Sequence, residues 1–251
     1  MPSAVVIVIP CYNEAHRLDV NKFKEYCATS PSHRFVFVND GSSDATLKVL
    51  AALHQEDPHH FAFIDLPTNV GKAEAVRQGL LSAFASNPDF AGYWDADLAT
   101  PLEAILSFCE LLESRAGLEM VFGARVRLLG RSIDRNPLRH YLGRAFATAA
   151  SLTLSLPIYD TQCGAKLFRA SPLVRSLFQQ PFTTRWLFDV EIIARLIQIC
   201  QHDNLQPPSA LVYEFPLDAW HDVAGSKVKP QDFFKSFFDL SKIYLKYLKN
   251  L

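Results

Sequence analysis

The sequence predicts an α/β fold with a mostly parallel central sheet flanked by helices, and three observations carry this. Short apolar runs recur through the first half: Ala4–Ile9, Phe35–Val38, Phe61–Ile64, Phe90–Trp94 and Met120–Gly123. Segments of helical character separate them. Each run stops at a polar cluster. Strand–helix alternation with short connections is the pattern of a parallel sheet covered by helices. In open sheets of this kind the ligand crevice lies beyond the carboxyl ends of the strands. Glu14, Asp40, Asp44, Lys72, Asp95, Asp97 and Arg125 should therefore converge, although they are far apart in sequence.

The first run is continuous and β-branched, which suits a central strand buried on both faces. It stops at Pro10–Glu14, and a helix should follow to about Cys27. The second ends at Asn39–Asp44, before an amphipathic segment through Leu53. The third ends near Asn69–Lys72, before a helix to about Ala85. The fourth ends in Asp95–Ala96–Asp97, with a helix expected from Thr100–Pro101. The fifth ends at Ala124–Arg125.

Asp95 and Asp97 are the sharpest feature. In an extended chain they project to the same side. Two carboxylates this close repel, and burying them unpaired is costly. A divalent Mg²⁺ or Mn²⁺ would resolve both problems, since it prefers hard oxygen ligands. The competing reading is a helix N-cap with a solvated neighbour, because aspartate favours helix starts. Likewise, Asp40–Gly41 alone is a common turn and Ser43 a cap.

Size and composition set the frame. A chain of 251 residues suits one large domain or one domain with an appendage. With 49% apolar and 20% charged residues it has the make-up of a globular enzyme. A net charge of −1 gives no reason to expect nucleic acid as a partner. Cys11, Cys27, Cys109, Cys163 and Cys200 lack metal-ligand spacing and are expected to be reduced thiols of a cytoplasmic protein. Met1–Ser3 has neither a basic flank nor a cleavage-like site, so no signal peptide is expected. The longest charge-free run, Ala145–Tyr159, falls short of the roughly 18 residues of a spanning helix and contains Pro157. A chain that does not cross a membrane by itself is expected. No P-loop or Gly-x-Gly-x-x-Gly sequence occurs, which argues against those nucleotide sites.

Four motifs in order carry a family resemblance: Val8–Glu14, Val38–Asp44, Asn69–Lys72 and Asp95–Asp97. Together they resemble the motifs of family 2 glycosyltransferases with the GT-A fold. The resemblance implies a Rossmann-like nucleotide-binding half plus an acceptor half, and a nucleotide-sugar donor, usually a uridine or guanosine diphosphate sugar. It also implies an inverting displacement without a covalent intermediate. By the same resemblance, Pro10, Tyr12, Glu14 and Asp40 match positions that hold base and ribose. Lys72 and Asp95 match positions near base, ribose or phosphates, and Asp97 matches the main metal ligand.

Downstream, Tyr159–Phe168, Trp186–Glu191 and Trp220–Val228 resemble the polyprenyl-phosphate members of the family, closest to the dolichyl-phosphate β-glucosyltransferases. The implied donor is UDP-glucose and the implied acceptor a polyprenyl or dolichyl phosphate. Another sugar such as mannose or GlcNAc, a glycan hydroxyl acceptor, or a non-catalytic nucleotide-sugar-binding protein are the competing readings. Two departures stand out. Ala165 follows Gly164 where the group usually has Phe, and the membrane helix that precedes the domain in eukaryotic members is not expected here.

The second half opens with a basic cluster: Arg125, Arg127, Arg131, Arg135, Arg139 and Arg144. It is either a solvated face or a cationic loop for a phosphate, for which the planar arginine fork is suited. Arg125, Arg131, Arg135, Ser226 and Lys227 are the candidate acceptor-side groups. A phosphate acceptor is already ionised near neutral pH and needs no strong base. A hydroxyl acceptor needs a carboxylate, with Asp160 and Asp189 as candidates.

The expected organisation is a GT-A domain over 1–228, divided into a nucleotide-sugar half (1–125) and an acceptor half (126–228), then an amphipathic C-terminal helix (229–251). In that helix Phe233, Phe234, Phe237, Leu240, Tyr244 and Leu248 could share one face. The helix either docks on the body or lies on an anionic membrane surface with its lysines toward the head groups, which would make the protein peripheral on the cytoplasmic face.

Overall fold

The computed structural model describes residues 2–134, 137–223 and 230–249, without the side chains of 137–140 and 230–234. The apolar runs form β1 (Val5–Cys11), β2 (His33–Asp40), β3 (Phe61–Leu66), β4 (Phe90–Trp94) and β5 (Met120–Ala124). Between them lie α1 (Val20–Thr29), α2 (Thr46–Glu56), α3 (Lys72–Ala85) and α4 (Ala104–Ser114). The second half adds β6 (Ser132–Asp134), α5 (Pro137–Leu154), β7 (Ala165–Arg169), α6 (Pro172–Leu177), α7 (Phe188–His202), α8 (Pro208–Leu211), β8 (Val212–Pro216), β9 (Ala219–His221) and α9 (Pro230–Ile243).

The main sheet has the order β3-β2-β1-β4-β7-β5-β8. β1 pairs in parallel with β2 and β4, as do β2 with β3 and β5 with β8. β7 is antiparallel to both β4 and β5. The apolar pattern does not reveal β7, because Lys166 interrupts it. The 1–125 and 126–228 segments thus share one sheet, and β6 and β9 form a separate parallel pair.

Alternation along β1 builds two cores. Val5, Ile7, Ile9 and Cys11 face α1, α2 and α4, where Phe23, Leu50, Leu53, Phe108 and Leu112 are buried. Val6 and Val8 face α3 and α7. Phe23 meets Phe35 and Phe37 nearly edge-on, each at 5.1 Å, and truncating such a ring costs about 3–5 kcal/mol.

Two local expectations change. α4 begins at Ala104, later than Thr100–Pro101. The indole N–H of buried Trp94 donates to the Thr100 carbonyl at 3.0 Å, and Leu98 adopts φ 52°, so the chain past β4 stays in turns. This removes the helix N-cap reading for Asp95 and Asp97. At the other end, α9 runs into a π-helical turn, Tyr244–Leu248. The buried seam is Leu240, Ile243 and Tyr247, while Phe237 and Tyr244 are exposed. The wider turn rotates the tail relative to the expected face. Phe233 and Phe234 lie outside the described side chains. The Tyr247 hydroxyl donates to Glu191 at 2.7 Å, so this helix docks on the body through α7.

All the cysteines are buried and unpaired with one another. Burial pushes the Cys27 and Cys109 thiols up to about 12. The thiolate is the reactive form. Ellman titration near about pH 8 should therefore detect fewer than about one thiol in the native protein and the full set of five after denaturation. Rapid native reaction of two or more would contradict this packing.

Candidate active site

The site grows from the carboxyl ends of β1 to β4. Their register sets Pro10 beside Val38 and Cys11 beside Asn39. The turns that follow are therefore neighbours, and they are stitched together. Asn13 N donates to Ser42 Oγ at 3.0 Å, Ser43 N to Asn13 Oδ1 at 2.8 Å and Glu14 N to Thr46 Oγ1 at 2.9 Å. Asp44 accepts from Ala15 N at 3.2 Å and from Thr46. Desolvation works against its charge, but these bonds hold its carboxyl below the usual range. Tyr12 stands on this rim, 38% exposed.

Asp40 is buried, and its oxygens accept from Val70 N at 2.7 Å and Gly71 N at 3.0 Å. The turn behind it requires glycine. Gly41 has φ +61°, and a Cβ there would stand 2.4 Å from the Thr68 carbonyl carbon. The end of β2 thus clamps the 68–71 loop and fixes where α3 starts, which places Lys72.

Lys72 Nζ reaches Asp95 Oδ1 at 2.5 Å. Burial opposes the ammonium charge, but Asp95, Asp189 and Asp97 hold it above the usual lysine range. Arg17 spans to the next carboxylate, with Nη2 3.3 Å from Asp97 Oδ2 and Nη1 3.5 Å from Glu14 Oε2. Asp97 Oδ1 accepts from Ala99 N at 3.1 Å. Burial first, then the charge of Asp95, raises the Asp97 carboxyl above its usual range. Asp95 N donates to Gly164 O at 3.0 Å, and a Cβ on Gly164 would lie 1.8 Å from Asp95 Oδ2. No side chain fits there.

Beneath this pair lies a buried ion pair. Lys166, fully buried on β7 opposite Tyr93, donates to Asp189 at 2.6 Å, Cys163 O at 2.6 Å and Thr161 O at 3.1 Å. The Tyr93 hydroxyl also donates to Asp189. Burial, reinforced by Asp189, puts the Tyr93 hydroxyl well above its usual range. Asp189 sits in the first turn of α7, where Glu191 turns away to accept from Thr183 N and Arg195.

Asp160 is held by Arg125, which donates from Nε at 2.6 Å and Nη2 at 2.8 Å. Burial works against the guanidinium charge, but Asp160 raises it above the usual range, with Asp95 adding to the effect. Glu214 accepts from Tyr159 N and Asp160 N, both at 2.7 Å. Arg131 is drawn to Pro216 O at 2.6 Å and to Asp218, away from the β4 carboxylates. Arg135, Ser226 and Lys227 lie outside the described residues.

The structure therefore gathers Glu14, Asp40, Lys72, Asp95 and Asp97 along one edge, with Asp160, Asp189 and Arg125 in ion pairs beside it. Sequence reasoning missed Arg17, Tyr93, Gly164 and Lys166. A lone lysine inside Ala165–Phe168 was the available signal for a buried, paired charge. Arg17 offered none, since an arginine in a polar loop reads as solvated. Among the described residues no group of three or more metal-ligating side chains converges.

A mostly parallel sheet crossed by one antiparallel strand, with a carboxylate pair at the end of β4, gives the chain the GT-A fold. Residues 6–176 match the family model described as glycosyl transferase family 2, and the chain belongs to that family. It is a hexosyltransferase. It is 30% identical over 256 residues to the dolichyl-phosphate beta-glucosyltransferase ALG5C of Trichomonas vaginalis, covering 96% of this chain and 72% of the relative. To the dolichyl-phosphate beta-glucosyltransferase of Drosophila melanogaster it is 31% identical, covering 96% and 74%. Among solved structures it resembles glucosyl-3-phosphoglycerate synthase from Mycobacterium tuberculosis in complex with Mn²⁺, UDP-glucose and phosphoglyceric acid. That likeness has TM-score 0.63 and 14% identity, covering 98% of this chain and 79% of the other.

The Lys166–Asp189 pair holds the turn that presents Gly164 to Asp95. Lys166→Met leaves Asp189 buried and unpaired, and unfolding free energy in urea should fall by about 3–5 kcal/mol. A loss under about 1 kcal/mol would show that the pair does not secure this turn.

Proposed function

We propose that the chain transfers glucose from UDP-glucose to a polyprenyl or dolichyl phosphate, with inversion and with the help of Mg²⁺ or Mn²⁺. The observation that carries this reading is the carboxylate pair Asp95/Asp97 set among Lys72, Arg17 and Glu14 at the strand ends. The names of the relatives support the sugar and the lipid acceptor. The neighbour's complex with Mn²⁺ and UDP-glucose supports the donor and a divalent ion.

The residues fit such an ion by donor chemistry. Asp97, assisted by Asp95, offers hard oxygens, and Mg²⁺ or Mn²⁺ is often held by one or two carboxylates plus substrate phosphates. When bound, the ion would stabilise the charge that develops on the leaving diphosphate. Pro10, Tyr12 and Glu14 line the wall for base and ribose, and Asp40 shapes it through the 70–71 loop. Lys72 faces the phosphates and anchors Asp95. An acceptor phosphate oxygen attacks the anomeric carbon from the face opposite the diphosphate. The C–O bond to UDP breaks, and its electron pair leaves with UDP. Of the groups proposed for the acceptor phosphate, Arg125 is paired with Asp160 and Arg131 with Asp218, and Arg135, Ser226 and Lys227 lie outside the described residues, so these roles rest on the family resemblance.

Both candidate bases, Asp160 and Asp189, are committed to buried ion pairs, which favours an acceptor that is already ionised. Reaching a lipid requires the membrane surface. No helix of the described residues is long and apolar enough to cross a membrane, so contact through the exposed Phe238 and Leu245 of the C-terminal helix is the proposed route, making the protein peripheral.

Incubation with a panel of nucleotide sugars, a polyprenyl phosphate and Mg²⁺ or Mn²⁺, read by mass spectrometry, should give a hexosyl-lipid phosphate from UDP-glucose. Asp97→Asn should lower that rate at least about a hundredfold while keeping the melting temperature. Transfer only to free glycans, or near-normal turnover by Asp97→Asn, would overturn the reading.

A further inference from the structure

Arg17 touches the proposed metal ligand and is placed to do so by its own turn. Arg17 N and Leu18 N both donate to Glu14 O at 2.9 Å, closing a tight turn after β1. The side chain is carried from there to the end of β4, where Nη2 stands 3.3 Å from Asp97 Oδ2. Its hold is loose. The second contact, to Glu14, is 3.5 Å, and Nε is buried without a hydrogen-bond partner among the described residues. The contrast with the neighbouring pair is clear, since Lys72 grips Asp95 at 2.5 Å. With its other oxygen on Ala99 N, Asp97 has both oxygens engaged.

A divalent ion and a guanidinium compete for Asp97 Oδ2, since like charges at contact distance repel. We infer that Arg17 is an exchangeable counter-ion: it neutralises Asp97 in the free enzyme and gives up that oxygen when a divalent cation binds. The inference rests on the reading of Asp97 as metal ligand. Its consequence is that the chain's own cation weakens metal binding in the absence of donor. The negative charges of a diphosphate offset the added charge, so metal and nucleotide load together. Coupling of this kind is reciprocal.

Mn²⁺ titration followed by the electron paramagnetic resonance signal of the free ion tests this without any measurement of turnover. In the absence of nucleotide, Arg17→Met should bind Mn²⁺ about fivefold more tightly than wild type, the scale of one modest ion pair. Arg17→Lys, which keeps a competing cation, should stay near wild type. The gain in Mn²⁺ affinity on adding UDP should shrink in Arg17→Met. Loss of a merely structural contact would not tighten metal binding, and Arg17→Gln carries the same test should the Met variant fail to fold. Asp97→Asn separates the two levels of the argument. If it still binds Mn²⁺ like wild type, the metal reading itself fails. If it loses Mn²⁺ while Arg17→Met binds no more tightly than wild type, the metal reading stands and the counter-ion role is refuted.

Discussion

Two like charges at the end of a buried strand are the constraint to which the surrounding structure answers. Asp95 and Asp97 follow directly on β4, whose residues are all buried. Both are partly exposed, and two like charges this close repel. Each is met by a cation from a different part of the chain, Lys72 from the start of α3 and Arg17 from the turn after β1. Lys72 can be there only because Asp40 pins the loop before it, and Arg17 only because Glu14 closes its turn. The chain ends of three parallel strands are thereby tied to one pair of carboxylates.

The antiparallel β7 supplies what the parallel strands cannot. Entering against β4, it brings the Gly164 carbonyl to the Asp95 amide and leaves only a hydrogen's width beside the carboxylate. Placing it required burying Lys166. That charge is tolerated because its contacts are complete: one carboxylate and two carbonyls around a single ammonium. Buried pairs of this kind add little net stability against an apolar substitute, yet removing one partner is costly. Here the pair fixes the geometry of a turn that an apolar residue could not hold.

The parallel half was legible because its strands are nearly unbroken apolar runs and because each stops at a polar cluster. Convergence of Glu14, Asp40, Lys72, Asp95 and Asp97 followed from topology alone. The second half was less so. Lys166 masked a strand by breaking its pattern, and nothing in local spacing tells that β7 runs between β4 and β5. The delayed start of α4 came from Trp94 claiming the Thr100 carbonyl, a contact between a strand side chain and a turn. In the C-terminal helix, helical spacing was right and Leu240 and Leu248 meet the core, but Ile243 and Tyr247 join the buried seam while Phe237 and Tyr244 are exposed. Arg17 carried no mark in sequence, because its meaning depends on a carboxylate eighty residues away.

The acceptor side is where electrostatics discriminates between chemistries. A hydroxyl acceptor must lose a proton as it attacks, and the carboxylate that takes it must be able to exchange its counter-ion for that proton. Asp189 accepts from both a buried lysine and a buried phenol. Asp160 is gripped through both oxygens by Arg125 and is hydrogen-bonded through the Arg125 amide as well. Both carboxylates are occupied by structural donors. The proposed phosphate acceptor brings its own negative charge and needs no base, while Arg125 holds Asp160 with its guanidinium over the Trp220 ring at 5.3 Å. The full occupancy of both carboxylates, more than the presence of any one arginine, is what supports the proposed ionised acceptor.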